Sequence, residues 1–111
     1  MAFTTIQYLK MFQAALATAQ TTQYTVPASR QDVIKDYELC NTTGAAITVT
    51  VNVVPTGNSA GTANAILQAA SIPANQTLHW TGTVVMNAGD FISTATSAVG
   101  VTGTFSGLES Q

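Results

Sequence analysis

Charge is the property that this sequence has least of. Its 111 residues include three Lys and Arg and five Asp and Glu, so 7% are charged, against roughly 25% in an average soluble domain. Three scattered cations cannot build the basic patch that nucleic-acid binding requires, which excludes that class of partner. No run approaches the ~18 consecutive apolar residues of a membrane-spanning helix, so we expect no membrane partner either.

Cysteine and histidine are equally scarce, and this removes most catalytic and metal chemistry. The lone Cys40 excludes an internal disulfide, and a zinc site or hydrolytic triad would have to be built on the lone His79. No G-x-S-x-G motif surrounds any serine. Asp36 and Glu38 are interpreted as a solvated strand face. We therefore expect a non-enzymatic protein with no catalytic, cofactor-binding or metal-binding residues and no cofactor.

The chain is instead rich in neutral polar residues, with 19 threonines, and from Tyr24 onward its apolar residues recur with a period of two. The clearest strand is 47–53, where Ile and Val alternate with Thr and Asn. In the strand before it, Tyr37 and Leu39 are predicted to face inward. The alternation slips near Lys35, which predicts a β-bulge there.

Short strands separated by turn signals indicate an all-β protein. We predict an antiparallel β-sandwich, jelly-roll or Ig-like, of about seven or eight strands. The length allows a single core. We divide the chain into an N-terminal arm or extension, residues 1–21, and a β-sandwich domain, residues 22–111.

The N-terminal segment fits two structures. Its apolar residues recur at helical spacing, but they fit an extended arm equally well, so both remain open for residues 4–19. Because the downstream strands do not need these side chains, a neighbouring subunit is a candidate for burying them. Deleting residues 1–20 is then expected to leave a folded sandwich that assembles less well. The candidate assembly interface consists of Ile6, Tyr8, Leu9, Phe12 and Leu16.

Several runs, taken in order over residues 22–108, resemble small virion proteins of tailed bacteriophages. The runs are 24–28 (YTVPA), 33–35 (VIK), 39–44 (LCNTTG), 47–51 (ITVTV), 72–78 (IPANQTL), 87–93 (NAGDFIS) and 101–107 (VTGTFSG). The resemblance implies a β-sandwich subunit built into the particle and assembled in the host cytoplasm. Most often such a subunit is a capsid decoration or cement protein that binds and stabilises the assembled capsid.

The resemblance also implies partners. These are the major capsid protein or other virion proteins, together with further copies of the chain, for which a trimer is the expected oligomer. The alternative is a tail or fibre component that attaches to the particle or recognises a host surface receptor.

The distribution of charge agrees with an assembly subunit. Five of the eight charged residues lie within 30–38, and residues 39–89 carry none. Removing water from neutral, hydroxyl-rich faces costs less free energy than removing it from charged faces. Edge strands without charged side chains can also pair with another chain. We expect the neutral faces to meet neighbours.

Overall fold

The computed structural model describes residues 5–111, which form eight β-strands and one short 3-10 turn at Thr62–Asn64. Within this range no helix has the length and apolar character needed to cross a membrane. The strands are β1 (Ile6–Ala15), β2 (Thr21–Thr25), β3 (Gln31–Asn41), β4 (Ile47–Val54), β5 (Ala65–Ile72), β6 (Thr77–Met86), β7 (Phe91–Thr96) and β8 (Val101–Ser110).

The strands form two four-stranded sheets. The first sheet has the order β1-β8-β3-β6 and the second the order β2-β7-β4-β5, with every neighbouring pair antiparallel. The prediction of an antiparallel β-sandwich is confirmed. Of the two sandwich types considered, this strand order is that of the jelly roll.

The core lies between the two sheets and follows the alternation of the sequence. In β8 every second residue from Val101 to Glu109 is buried, because β8 has a neighbouring strand on both sides. Gly107 lies beside β3, and a Cβ at this position would overlap the carbonyl oxygen of Val33. A glycine is therefore required here by the close approach of two backbones.

The predicted bulge near Lys35 is confirmed. The register of β3 shifts between Ile34 and Asp36 against both of its neighbours. The extra residue restores the alternation, so that Ile34, Tyr37 and Leu39 are all fully buried on the inner face.

The N-terminal segment is a strand of the sandwich. Residues 1–4 lie outside the described residues, but from Ile6 to Ala15 the segment assigned to an arm forms β1, the edge strand paired with β8. A register shift between Lys10 and Phe12 marks a bulge in β1. Leu9 and Phe12 therefore both face inward although they are three residues apart, which explains why the spacing imitates a helix.

Candidate assembly interface

An apolar patch lies on the solvent-facing side of the first sheet. The strand register places Tyr8, Leu108, Val33 and Val85 in one row across all four strands. Tyr8 is 92% exposed, Ile6 two residues earlier in β1 is 68% exposed, and Val85 is 54% exposed. We call Ile6, Tyr8, Val33, Val85 and Leu108 the outer apolar patch. Contiguous exposed apolar surface of this kind is typical of interaction sites.

The patch is bordered on one side by polar and charged groups. Tyr8 and Leu108 share a shallow recess with Lys35, Asp36 and Ser106. The Lys35 ammonium donates a hydrogen bond to the Thr83 hydroxyl at 2.8 Å. An apolar surface with a polar rim is the usual composition of a protein interface.

The five residues of the predicted assembly interface occupy three different environments. Ile6 and Tyr8 belong to the outer apolar patch, whereas Leu9 and Phe12 point inward at the open edge of the first sheet and are half-buried. Leu16 is 2% exposed and belongs to the protein's own core. A Cβ built on Gly103 would lie 3.2 Å from Leu16. Leu16 therefore has no surface left to offer a partner.

A row of four aromatic rings crosses the inner face of the first sheet from edge to edge. The ring centroids of Phe12 and Phe105 are 4.6 Å apart, those of Phe105 and Tyr37 4.7 Å, and those of Tyr37 and Trp80 5.0 Å. The interplanar angles are 20°, 15° and 12°. We call these four residues the aromatic row. Its two inner rings are fully buried, while its end rings, Phe12 and Trp80, are half-buried.

The incompletely buried part of the core collects at the edges of the sheets. Of the nine partly buried hydrophobic residues that pack against the core, all but Val53 lie on β1, β2, β5 or β6, the four edge strands. β1 contacts β2, so these two strands form one flank of the sandwich, and β5 and β6 lie at the opposite edges. The residues are Leu9, Phe12, Tyr24, Ile66, Leu67, Leu78, Trp80 and Val84.

A buried polar cluster joins β3, β8 and the segment around β2. Asp32 and Glu109 lie directly opposite each other in the β3–β8 pair and are 0% and 2% exposed. Arg30 donates a hydrogen bond to Glu109 at 2.7 Å, and the hydroxyl of Tyr24 donates one to Asp32. The hydrogen bond from Tyr24 on β2 to Asp32 on β3 connects the two sheets.

Burial alters the acidity of this cluster. Desolvation, supported by the neighbouring Glu109, raises the pKa of Asp32 from 3.8 to about 6, although the hydrogen bond from Tyr24 and the charge of Arg30 act in the opposite direction. Desolvation and the hydrogen bond to Asp32 also raise the pKa of Tyr24. The sequence did not reveal this cluster, because polar residues at inward positions of a strand are recognised only when their partners are known.

The residues that could in principle serve catalysis or metal binding do not come together in one site. The side chain of His79 is 54% exposed, and its Nδ1 lies 3.7 Å from Glu38, which is also on the outer face. Cys40 is half-buried and lies opposite Thr77 and Thr102. Within residues 5–111 no three or more His, Cys, Asp or Glu side chains come together as metal ligands would.

The chain is similar to known proteins in its fold but not in its sequence. No family model matches the chain, and no curated protein sequence matches it. A solved structure described as belonging to Bacillus endospore appendages that form a novel family of disulfide-linked pili matches with a TM-score of 0.59 and 16% identity, over 96% of this chain and 88% of that one. At this identity the match shows a shared fold.

A second solved structure is more distant. A chain of infectious bursal disease virus, Gx strain, matches with a TM-score of 0.44 and 8% identity; 95% of this chain aligns with 30% of that chain. This chain thus spans less than a third of the viral protein. Since no family model links the chain to tailed-phage virion proteins, that resemblance stays a proposal.

Proposed function

We propose that the protein is a non-enzymatic structural subunit of a bacteriophage virion. Its role is that of a decoration or cement protein that binds the assembled capsid through the outer apolar patch. The observation that carries the proposal is the patch itself, where Tyr8 is almost fully solvated and Ile6 is about two-thirds exposed in the single chain. Monomeric proteins rarely leave such contiguous apolar surface exposed.

The composition of the surface supports the same role. Of the eight charged residues, Asp32 and Glu109 are buried, which leaves an outer surface that is close to neutral. Desolvating the hydroxyl groups of this surface costs less free energy than desolvating charged groups would. A subunit that binds only the assembled lattice stabilises that lattice by mass action, by about 3–4 kcal/mol per site when its concentration far exceeds the dissociation constant. No covalent chemistry is needed.

The fold is compatible with assembly. Jelly rolls serve as building blocks of viral capsids and lectin domains. One structural neighbour is described as part of pili, which are assemblies of repeated subunits. This supports a structural role without deciding between a capsid and another particle.

The proposal is tested by adding the purified protein back to particles that lack it and measuring binding by co-sedimentation and the temperature at which the particles release DNA. Tyr8→Ser should abolish binding. The matched control is Val99→Ser, because Val99 is 72% exposed but lies in the loop before β8, outside the patch. The wild-type protein and the control should raise the release temperature.

Two results would overturn the capsid proposal. One is equal binding by the Tyr8 and Val99 variants, which would show that the patch is not the contact. The other is a location at the tail: if gold-labelled protein is found there by electron microscopy, the chain is a tail or fibre component.

A further inference from the structure

We propose that the β6 edge of one copy pairs antiparallel with the β1 edge of a second copy, so that Trp80 of the first copy stacks on Phe12 of the second. The first sheets of the two copies then become one continuous sheet. This association joins two different surfaces of the same chain, and it goes beyond capsid binding because it requires no other protein.

The direction of the strands permits this pairing. Successive strands of the first sheet alternate in direction across the order β1-β8-β3-β6. With four strands, β1 and β6 therefore run in opposite directions. A second copy placed beside the first in the same orientation presents its β1 antiparallel to β6. Both strands have ten residues, so neither edge is longer than its partner.

The aromatic row sets the register. Its rings are spaced 4.6–5.0 Å apart, which matches the distance of about 4.8 Å between neighbouring strands. A second copy in the same register places its Phe12 one strand spacing from Trp80, and the row continues without interruption. Offset or tilted stacks of this kind stabilise an interface beyond the burial of area.

The flanks have the surface that a stable interface needs. A ten-residue strand is about 33 Å long, and two sheets ~10 Å apart with their outer side chains are roughly 20 Å thick. The flank therefore covers roughly 600–700 Å², close to the ~800 Å² per partner of a standard interface. Its inward-facing residues are already apolar and half-exposed, such as Leu9 on β1 and Val84 on β6.

The flanks also lack the usual protection against pairing. Edge strands are commonly guarded by charged side chains or proline. Among the four edge strands, Lys10 is the one Lys, Arg, Asp or Glu residue, and none of the strands contains proline. The bulges in β1 and β6 lie beyond Phe12 and Trp80, which leaves the regular segments 12–15 and 77–80 free to pair.

A head-to-tail contact of this kind repeats at every copy. It closes into a ring if the rotation between copies allows closure, and otherwise it continues as a filament. A closed two-fold dimer does not satisfy it, because such a dimer joins identical surfaces.

The first test follows self-association of the full chain by light scattering over a range of concentrations, with tryptophan emission recorded in parallel. Trp80 is the only tryptophan, so its emission reports directly on the β6 edge. We expect oligomers larger than a dimer to form as the concentration rises, with the emission moving to shorter wavelength. A chain that stays monomeric at millimolar concentration, or that stops at a dimer, overturns the proposal.

The second test identifies the edges with charge pairs at Ala15 and Thr77. In the proposed register these two exposed residues face each other across the junction, while within one copy they lie at opposite edges of the sheet. Four double variants are compared: A15E/T77K, A15K/T77E, A15K/T77K and A15E/T77E. The two opposite-sign variants should associate about fivefold more tightly than the two like-sign variants.

The design separates a specific contact from general repulsion. The opposite-sign variants share the wild-type net charge, whereas the like-sign variants shift it in opposite directions, so an effect of net charge alone would not weaken both like-sign variants equally. Because both substituted positions, Ala15 and Thr77, are solvent-exposed, the variants should fold. Equal association of all four variants shows that β1 and β6 do not meet and overturns the proposal.

Discussion

The central and edge strands of the first sheet carry the same sequence pattern with different outcomes. On β8 the inward residues are all buried, whereas on β6 the inward residues Leu78, Trp80 and Val84 remain half-exposed and Met86, at the end of the strand, is buried. The difference is a missing neighbour, since β8 is flanked by two strands and β6 by one. The alternation of apolar and polar residues gives a strand one apolar face, but a neighbouring strand is needed to bury that face.

The largest difference between centre and edge is expected at the glycine of the central pair. Gly107→Ala should lower the free energy of unfolding by about 4 kcal/mol or more, because the new methyl group would overlap the backbone of Val33. Gly44→Ala is the control, since nothing lies within 4 Å of a Cβ there. Urea denaturation measures both. A small effect of Gly107→Ala would show that β3 and β8 can separate without cost.

Truncation of the aromatic row should give a graded result. Phe105→Ala should cost about 3–4 kcal/mol, since the ring is fully buried and leaves a cavity. Phe12→Ala should cost the single chain roughly half as much, because its ring is already partly in water. Both values come from urea denaturation at a concentration where the protein is monomeric. Equal losses would contradict the distinction between the centre and the edge of the sheet.

The buried acid at the end of the central pair predicts a pH dependence. The pKa of Asp32 is raised from 3.8 to about 6 in the folded chain, so the folded state binds the proton more tightly than the unfolded state. The contribution of the protonated Asp32 to the free energy of unfolding is therefore complete below about pH 4 and is lost as the pH rises to about 6. The loss should be of the order of 2–3 kcal/mol.

The substitution Asp32→Asn checks the origin of this slope. It removes the titrating group and keeps the shape of the side chain. The free energy of unfolding should therefore change less with pH between pH 4 and 6 than it does in the wild-type protein. Asp36→Asn, on the outer face of the same strand, is the control and should retain the wild-type slope. A slope that persists in Asp32→Asn would assign it to another group.

The smallest effects are expected at the edges themselves. Thr77→Lys and Ala15→Lys should each change the unfolding free energy of the single chain by less than about 0.5 kcal/mol, because both side chains are exposed. Thermal denaturation at low concentration measures this. A large loss in either variant would mean that the edge residue supports the fold and would weaken its use as a probe of association.

Much of the fold could be predicted from local alternation. The strand at 47–53, the inward positions of Tyr37 and Leu39, and the bulge at Lys35 all follow from which neighbouring residues are apolar. The N-terminal segment could not be assigned in this way, because the bulge in β1 gives Leu9 and Phe12 the spacing of a helix. Its partner, β8, is at the opposite end of the chain.

The candidate interface was less predictable than the fold. The sequence alone predicts Ile6 and Tyr8 as interface residues, but Val33, Val85 and Leu108 join them only through strand register. The sequence predicts Leu16 as part of the interface, but its side chain belongs to the core. Because Leu16 and Met11 are both buried, deletion of residues 1–20 should now be expected to open the core and impair folding, contrary to the expectation from sequence.

The central claim is that the sandwich is complete at its centre and incomplete at its flanks, where a second copy completes it. Hydrogen exchange followed by mass spectrometry tests this most directly when the full chain is compared at low and high concentration. The account predicts that amides of β1 and β6 become protected on association, while those of β3 and β8 are protected in both states. Unchanged exchange in β1 and β6 at concentrations where the protein is associated would contradict it.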